Sequence, residues 1–160
     1  VNERLHVRLC SLEDEEAYIR LNLDFIKSVR KEHPYWNYLK LPTEEDMKSV
    51  FGEALSKKHE IMMFIVEYDK KVIGYANTWS VYSIWSMGRS FIIDDLFIHE
   101  DYRGREIGKE VMELLLNYAK NNGYIRIQLN AEKDNIRAHA LYKKLNFSHE
   151  EMLFFMKVLR

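Results

Sequence analysis

An apolar run at residues 90–98, Ser-Phe-Ile-Ile-Asp-Asp-Leu-Phe-Ile, leads directly into Asp101-Tyr102-Arg103-Gly104-Arg105-Glu106-Ile107-Gly108-Lys109. No other stretch constrains the fold as tightly. The run reads as a buried strand from its length and its β-branched and aromatic content. Beyond the turn, Ile107, Val111, Leu115, Tyr118 and Ala119 recur at helical spacing. The order is therefore strand, basic glycine-containing turn, helix. A helix start of this kind carries backbone N–H groups without internal partners at the positive end of the helix dipole, which makes it a ready anion site. Arg103, Arg105 and Lys109 add formal positive charge. The turn reads as a clamp for a pyrophosphate. Ordinary turn chemistry accounts for an Arg-Gly pair equally well, so both readings stand at this point. The turn lacks the Gly-Lys-Ser/Thr ending of a Walker A loop and the three glycines of a dinucleotide fingerprint.

Around that hub the chain alternates strands and helices. Residues 5–9 alternate apolar and polar, the mark of a first strand. Ser11, with Asp14 three residues on, opens a helix to about residue 31, with Ala17, Leu21, Phe25 and Val29 along one side. Both prolines, Pro34 and Pro42, bracket a segment expected to be irregular. Thr43 and Asp46 cap a second helix to about residue 57. Residues 61–67 form a continuous apolar strand, Asp69-Lys70-Lys71 a tight turn, and residues 72–79 the antiparallel partner, extending towards Trp85. Asn122-Gly123 closes the helix after the hub, and residues 125–129 alternate as a further strand. Asp134 is the expected cap of a fourth helix through about Lys144, and residues 152–158 are expected to close the sheet. Hairpins come first and a strand-helix-strand unit follows, which is a mixed α/β (α+β) chain.

Composition excludes several classes. With 160 residues, 47% apolar and 31% charged, the chain reads as one globular domain over residues 1–160. A formal net charge of −1 gives no electrostatic case for nucleic-acid binding. A lone cysteine, Cys10, rules out an internal disulfide framework and reads as a small buried thiol in a reducing compartment. No apolar run reaches the ~18 residues a membrane span needs. The first eight residues carry charges of both signs and no signal-peptide core, so the cytoplasm is the expected location. The six histidines show no zinc spacing, and no metal is expected.

Two motifs carry a family resemblance. Residues 102–108 resemble motif A of the GNAT superfamily of acyl-CoA-dependent N-acyltransferases, Gln/Arg-x-x-Gly-x-Gly/Ala. Arg103 and Gly108 fill its first and last positions and Glu106 replaces the middle glycine. Residues 135–147 resemble motif B, Asn-x-x-Ala-x-x-Leu-Tyr-x-Lys-x-Gly-Phe, at Asn135, Ala138, Leu141, Tyr142, Lys144 and Phe147, with Asn146 for the glycine. The pair in this order, with a strand between, is far more specific than either alone. The resemblance covers nearly the whole chain. It implies a mixed, mostly antiparallel sheet flanked by about four helices, with two central strands splayed around acetyl-CoA as co-substrate. The splay is expected between the strand ending at Ile98 and residues 125–130.

The resemblance also implies roles. The backbone of Leu96, Phe97 and Ile98 would pair with pantetheine. The turn Arg103, Gly104, Arg105, Glu106, Ile107, Gly108 and Lys109 would hold the pyrophosphate, and Lys144 would lie near phosphates. Asn135 would bond the pantetheine arm or its loop, and Tyr142 would be the general acid for the departing thiolate. Apart from the motif, a tyrosine on an apolar helix face is usually core. Acetyl transfer to an amine needs the neutral amine. With an alkyl-ammonium pKa near ~10.4, neutralising it at pH 7 costs about 4.6 kcal/mol. A carboxylate within reach takes that proton. Asp94 and Asp95 interrupt an apolar strand, and adjacent strand residues face opposite sides unless a bulge intervenes. The stretch resembles the diamine and polyamine N-acetyltransferases, where a Glu occupies the position of Asp94, so Asp94 is the expected base; a hydrogen-bonded structural carboxylate is the equal alternative. Tyr35, Trp36, Tyr38, Tyr75, Trp79, Tyr82 and Trp85, with Glu32, Glu44 and Glu45 near them in sequence, would suit a cationic acceptor or simply pack a core or dimer face.

The expected activity is transfer of acetyl from acetyl-CoA to a primary amine of a small molecule by direct attack. A protein amine acceptor and a non-catalytic acyl-CoA sensor are the alternatives. No nucleic acid or membrane is the expected partner. Dimers are frequent among such enzymes, so a homodimer is one expectation.

Overall fold

Five strands lie side by side in chain order: β1 (Leu5–Leu9), β2 (Ile61–Tyr68), β3 (Lys71–Ser83), β4 (Gly88–Ile98) and β5 (Arg126–Leu129). The first four pair antiparallel and β5 runs parallel to β4. The computed structural model describes residues 3–159. They fall into two units, Val1–Asn130 and Ala131–Arg160, and the sheet belongs to the first.

Tight turns set the antiparallel register. Asp69 and Lys70 both take positive φ, 49° and 64°, which matches the right-handed twist of the strands they join, β2 and β3. Met87, at φ 56°, turns the chain into β4. Gly74 on β3 sits opposite Ile98, and a Cβ there would lie 2.2 Å from the Phe97 carbonyl oxygen. The close approach of the two backbones at the end of β4 depends on that missing side chain.

Helices cover both faces. A 3₁₀ turn, Leu12–Asp14, enters α1 (Glu15–Glu32), and the Ser11 N–H donates to the Asp14 carboxylate at 2.8 Å. Asp14 is buried and also takes a two-pronged bond from Arg8, at 2.7 and 2.8 Å. Thr43 caps α2 (Glu44–Ser56) by accepting from the Asp46 N–H at 3.1 Å. Tyr18, Ile19 and Leu21 of α1 and Met47 and Phe51 of α2 pack with Met63, Ile65, Tyr75 and Phe97 of the sheet. On the opposite face, α3 (Ile107–Asn121) buries Val111, Met112, Leu115 and Ala119, and Tyr118 meets the Phe64 ring edge-on at 4.9 Å. Gly123, at φ 73°, ends the chain's run past α3.

The ladder between the last two strands is short, and it ends in the stretch where the resemblance places the expected splay. β4 pairs with β5 only from Ser90 to Ile93, opposite Arg126 to Leu129. Residues 94–98 of β4 continue past the last of those pairs, held by β3 on one edge.

In the second unit α4 spans Ile136–Lys144. Its cap is Asn135 rather than the expected Asp134: the Asn135 side-chain oxygen accepts from the Ala138 N–H at 3.1 Å. Asn and Asp cap equally well, so sequence could not choose between neighbours. The expected closing strand at residues 152–158 does not form. Met152, Leu153, Phe154 and Phe155 are all exposed. A run apolar at both parities names no inward face, so it fixes no register.

Gly74→Ala should cost about 1–3 kcal/mol in denaturant unfolding, because the added methyl meets backbone that cannot step aside. Gly52→Ala, where a Cβ meets nothing within 4 Å, is the matched control and should not destabilise.

Candidate active site

A β-bulge separates the two adjacent carboxylates. Asn77 pairs with Asp95 and Thr78 with Ile93, so Asp94 is the extra residue on β4 with no cross-strand partner. Asp95 is half-buried and accepts from the Asn77 amide at 2.9 Å. Asn77 in turn accepts from the Tyr18 hydroxyl at 2.5 Å. Asp94 is exposed. Even so, its carboxyl is pushed up to about 6, first because protein atoms crowd it on the sheet side and next because Asp95 repels its charge, with a hydrogen bond from Trp79 working the other way. Burial raises Asp95 too, opposed by the Asn77 bond. One carboxylate is thus tied into the sheet, and the other stands open to solvent with a proton affinity near neutrality.

Just beyond lies the turn. Arg103 donates through Nε to the Ile98 carbonyl at 2.8 Å, and its guanidinium lies over the Phe97 ring at 5.5 Å. It fastens the turn to the strand end. Gly104 and Glu106 both take positive φ, 76° and 61°. Glu106 is the N-cap of α3, in the left-handed region at ψ 0°. The departure from the motif is therefore a matter of backbone as well as charge. A non-glycine residue holds a conformation that glycine adopts without cost, at about 1–2 kcal/mol. Gly104, Arg105 and Glu106 are exposed, Ile107 is buried under the sheet, and Lys109 pairs with Glu113 at 3.6 Å. Leu96, Phe97 and Ile98 use one backbone edge for β3, opposite Ala76, Tyr75 and Gly74. Their other edge carries no strand among the described residues.

Asp94, the 96–98 backbone and the 103–109 turn all belong to the first unit, where Arg103 ties the turn to Ile98. Asn135, Tyr142 and Lys144 lie on or cap α4 in the second. Asn135 spends its side-chain oxygen on the cap. Tyr142 is half-buried, its ring 5.8 Å from that of Phe147, and its hydroxyl is raised from its ordinary value by burial and then by Glu132.

The aromatic residues divide. Tyr35, Trp36 and Tyr38 form a cluster on the 3₁₀ turn Pro34–Tyr38, with ring centres 5.1 to 6.4 Å apart. Trp79, Tyr82 and Trp85 are exposed along the β3 edge and its turn. Tyr75 is core, fully buried, and its hydroxyl has no hydrogen-bond partner among the described residues. Cys10 is half-buried, and burial pushes its thiol up to about 12, which removes it as a nucleophile near neutral pH. Sequence reasoning missed Asn77 and Tyr18 beside the carboxylates. The available signal was a polar amide inside an apolar strand, where Asn is disfavoured.

Comparison with known proteins agrees with this architecture. The acetyltransferase (GNAT) family model matches residues 23–147. YhfO, an uncharacterized N-acetyltransferase of Bacillus subtilis, is 28% identical over 100 residues, 62% of this chain and 67% of that one. A thialysine N-epsilon-acetyltransferase of Bos taurus is 32% identical over 74 residues, 46% of this chain and 43% of its own. The chain thus spans about two thirds of the first relative and under half of the second. Among solved structures, an aminoglycoside acetyltransferase from an uncultured soil metagenomic sample, in complex with sisomicin, superposes with a TM-score of 0.77. It is 16% identical and the match covers 99% of both chains, a likeness of fold.

Relieving the backbone at position 106 gives a direct check on its strain. Glu106→Gly should hold or raise the unfolding free energy by up to about 1 kcal/mol, and Glu106→Val should lower it by about 1–2 kcal/mol. Chemical denaturation of the two variants side by side reads the difference.

Proposed function

Since the chain belongs to the acetyltransferase (GNAT) family, we propose that it moves an acetyl group from acetyl-CoA to a primary amine of a small molecule, by direct attack. The observation that carries this reading is Asp94: a solvent-facing carboxylate with its proton affinity near neutrality, placed on a bulge where β4 has parted from β5. Its role is general base. It takes a proton from the acceptor ammonium, and the freed amine nitrogen attacks the thioester carbonyl. The carbon–nitrogen bond forms, the nitrogen gives its surplus proton to solvent, the carbon–sulfur bond breaks, and the sulfur leaves as a thiolate that needs a proton. By its motif position Tyr142 gives that proton, and a phenol raised above its ordinary value is in the donor form at neutral pH. The exposed turn at residues 104–106 and the N-terminal amides and dipole of α3 suit the pyrophosphate, with Arg105 and Lys109 adding charge. Asn135 and Lys144 belong to the cofactor side by the same motif.

The acceptor class follows from charge and from one relative. Two carboxylates beside exposed Trp79 favour a cation, and the Bos taurus relative is named for a thialysine amine. Polyamine-, aminoglycoside- and amino-acid-like amines share that chemistry. A second reading, an acyl-CoA sensor without turnover, has Glu106 in its favour, because a carboxylate beside the turn opposes a diphosphate.

Thiol release from acetyl-CoA with a panel of primary amines decides between the two. Amine-dependent release is expected; thermal stabilisation by acetyl-CoA with no release for any amine would select the sensor. For the enzyme, the rate should fall as pH drops through about 6, where Asp94 gains its proton and can no longer accept one. Asp94→Asn should cut kcat by about 10²–10⁴-fold and erase that break. Tyr142→Phe should slow transfer by a similar ~10²-fold factor with acetyl-CoA affinity nearly unchanged; equal losses in both would remove Tyr142 from the acid role.

A further inference from the structure

Two neighbouring carboxylates on one strand cannot serve the same purpose, and the bonds around them are unequal. The Tyr18 hydroxyl donates to Oδ1 of Asn77 at 2.5 Å, which fixes which way the amide faces. With Oδ1 held there, Nδ2 points at Asp95 and donates to Oδ2 at 2.9 Å. Were the amide reversed, its oxygen would oppose a carboxylate and its NH₂ would oppose a hydroxyl proton. Tyr18 itself is held: it is buried, its ring packs 5.2 Å from Phe51 and 5.3 Å from Tyr75, and Asn22, one helical turn on, donates to its carbonyl at 2.9 Å. The chain of bonds therefore runs from the rigid middle of α1, through β3, to the bulge in β4.

We propose that Tyr18 and Asn77 are positioning residues that keep Asp95 ionised and fixed, and that Asp95, as a standing negative charge behind the bulge, makes Asp94 the proton acceptor of the pair. This rests on the reading of Asp94 as general base. The groups facing the pair are consistent with it. Tyr18 faces it from α1, Tyr75 from β3, and Cys10 lies behind Tyr18; burial raises all three above their ordinary values, so each is neutral around pH 7. The dominant charge acting on Asp94 is that of Asp95. Tyr75 adds a second sign of the same design. Its fully buried hydroxyl lacks a hydrogen-bond partner among the described residues while lying in the field of both carboxylates and of Tyr18. Phenylalanine would fill that core position at no polar cost.

The two carboxylates titrate as a coupled pair, and the expected shifts differ in size between variants. Asp95→Asn keeps an acceptor for the Asn77 amide but deletes the charge. It should move the acidic break in the kcat/KM profile down from about 6 by about one pH unit. Tyr18→Phe keeps the ring and its packing but frees the amide to reverse. Asp95 then ionises less readily, Asp94 loses its proton in part beside a neutral neighbour, and the break should fall by up to about half a unit, less than in Asp95→Asn. In the double variant Tyr18→Phe/Asp95→Asn the break should sit where Asp95→Asn alone puts it, since Tyr18 acts only through Asp95. A purely structural network would alter rate or thermal midpoint in these variants and leave the break in place. That result, in variants shown folded by their circular dichroism, overturns the proposal. Asp94→Asn separates the two levels. If it retains both the rate and the break, the base assignment fails and this inference with it. If it loses both while the other variants leave the break at about 6, the positioning role alone is wrong.

Discussion

Everything at the candidate site depends on β4 losing one neighbour partway along its length. Up to Ile93 it is paired on both edges; beyond, only β3 holds it. A strand end paired on one edge normally frays or aggregates. Here the remaining edge is secured unusually well. Gly74 lets the β3 backbone press against the Phe97 carbonyl, the His99 N–H bonds back to the Ile73 carbonyl at 2.8 Å, and Arg103 reaches back to Ile98. The free edge is therefore rigid, and a rigid edge can accept an extended ligand without first being ordered.

The bulge works within the same constraint. A regular strand would turn Asp94 and Asp95 to opposite faces and bury one of them without compensation. Inserting one residue lets Asp95 take its place opposite Asn77 while Asp94 stays out of the ladder. The cost of a carboxylate inside a sheet is met by hydrogen bonds to one member and by solvent for the other. Strain at Glu106 is of another kind. It lies in the backbone of the turn and falls where the motif has glycine, so the chain carries a local penalty at the start of α3.

Much of this was legible in the sequence. Helices and strands up to residue 144 fell near their expected spans, because apolar spacing at 3.6 or 2 residues is a strong signal and Thr43, Gly123 and the Asp69–Lys70 pair are strong punctuation. The parting of the sheet could be expected only from family resemblance, since no residue pattern records where a ladder stops. The bulge was invisible in position, although the paired acids hinted that something must separate them. The bond from Tyr18 to Asn77 joins residues 59 apart, a contact that periodicity does not encode. At position 106 the sequence shows a departure from the motif glycine, and the left-handed backbone there went unforeseen because glutamate rarely adopts it. Residues 152–158 misled through sheer apolarity, a run without the alternation that would assign it a face.

The three tryptophans have a consequence of their own. None lies in the core: Trp36 is on the 3₁₀ turn, Trp79 is exposed beside Asp94, and Trp85 is 95% exposed at the tip of the β3–β4 hairpin. The protein's intrinsic ultraviolet emission therefore originates outside the buried core. Trp79, exposed on β3 and acting on the titration of Asp94, instead gives the chain a built-in optical reporter of events at the bulge.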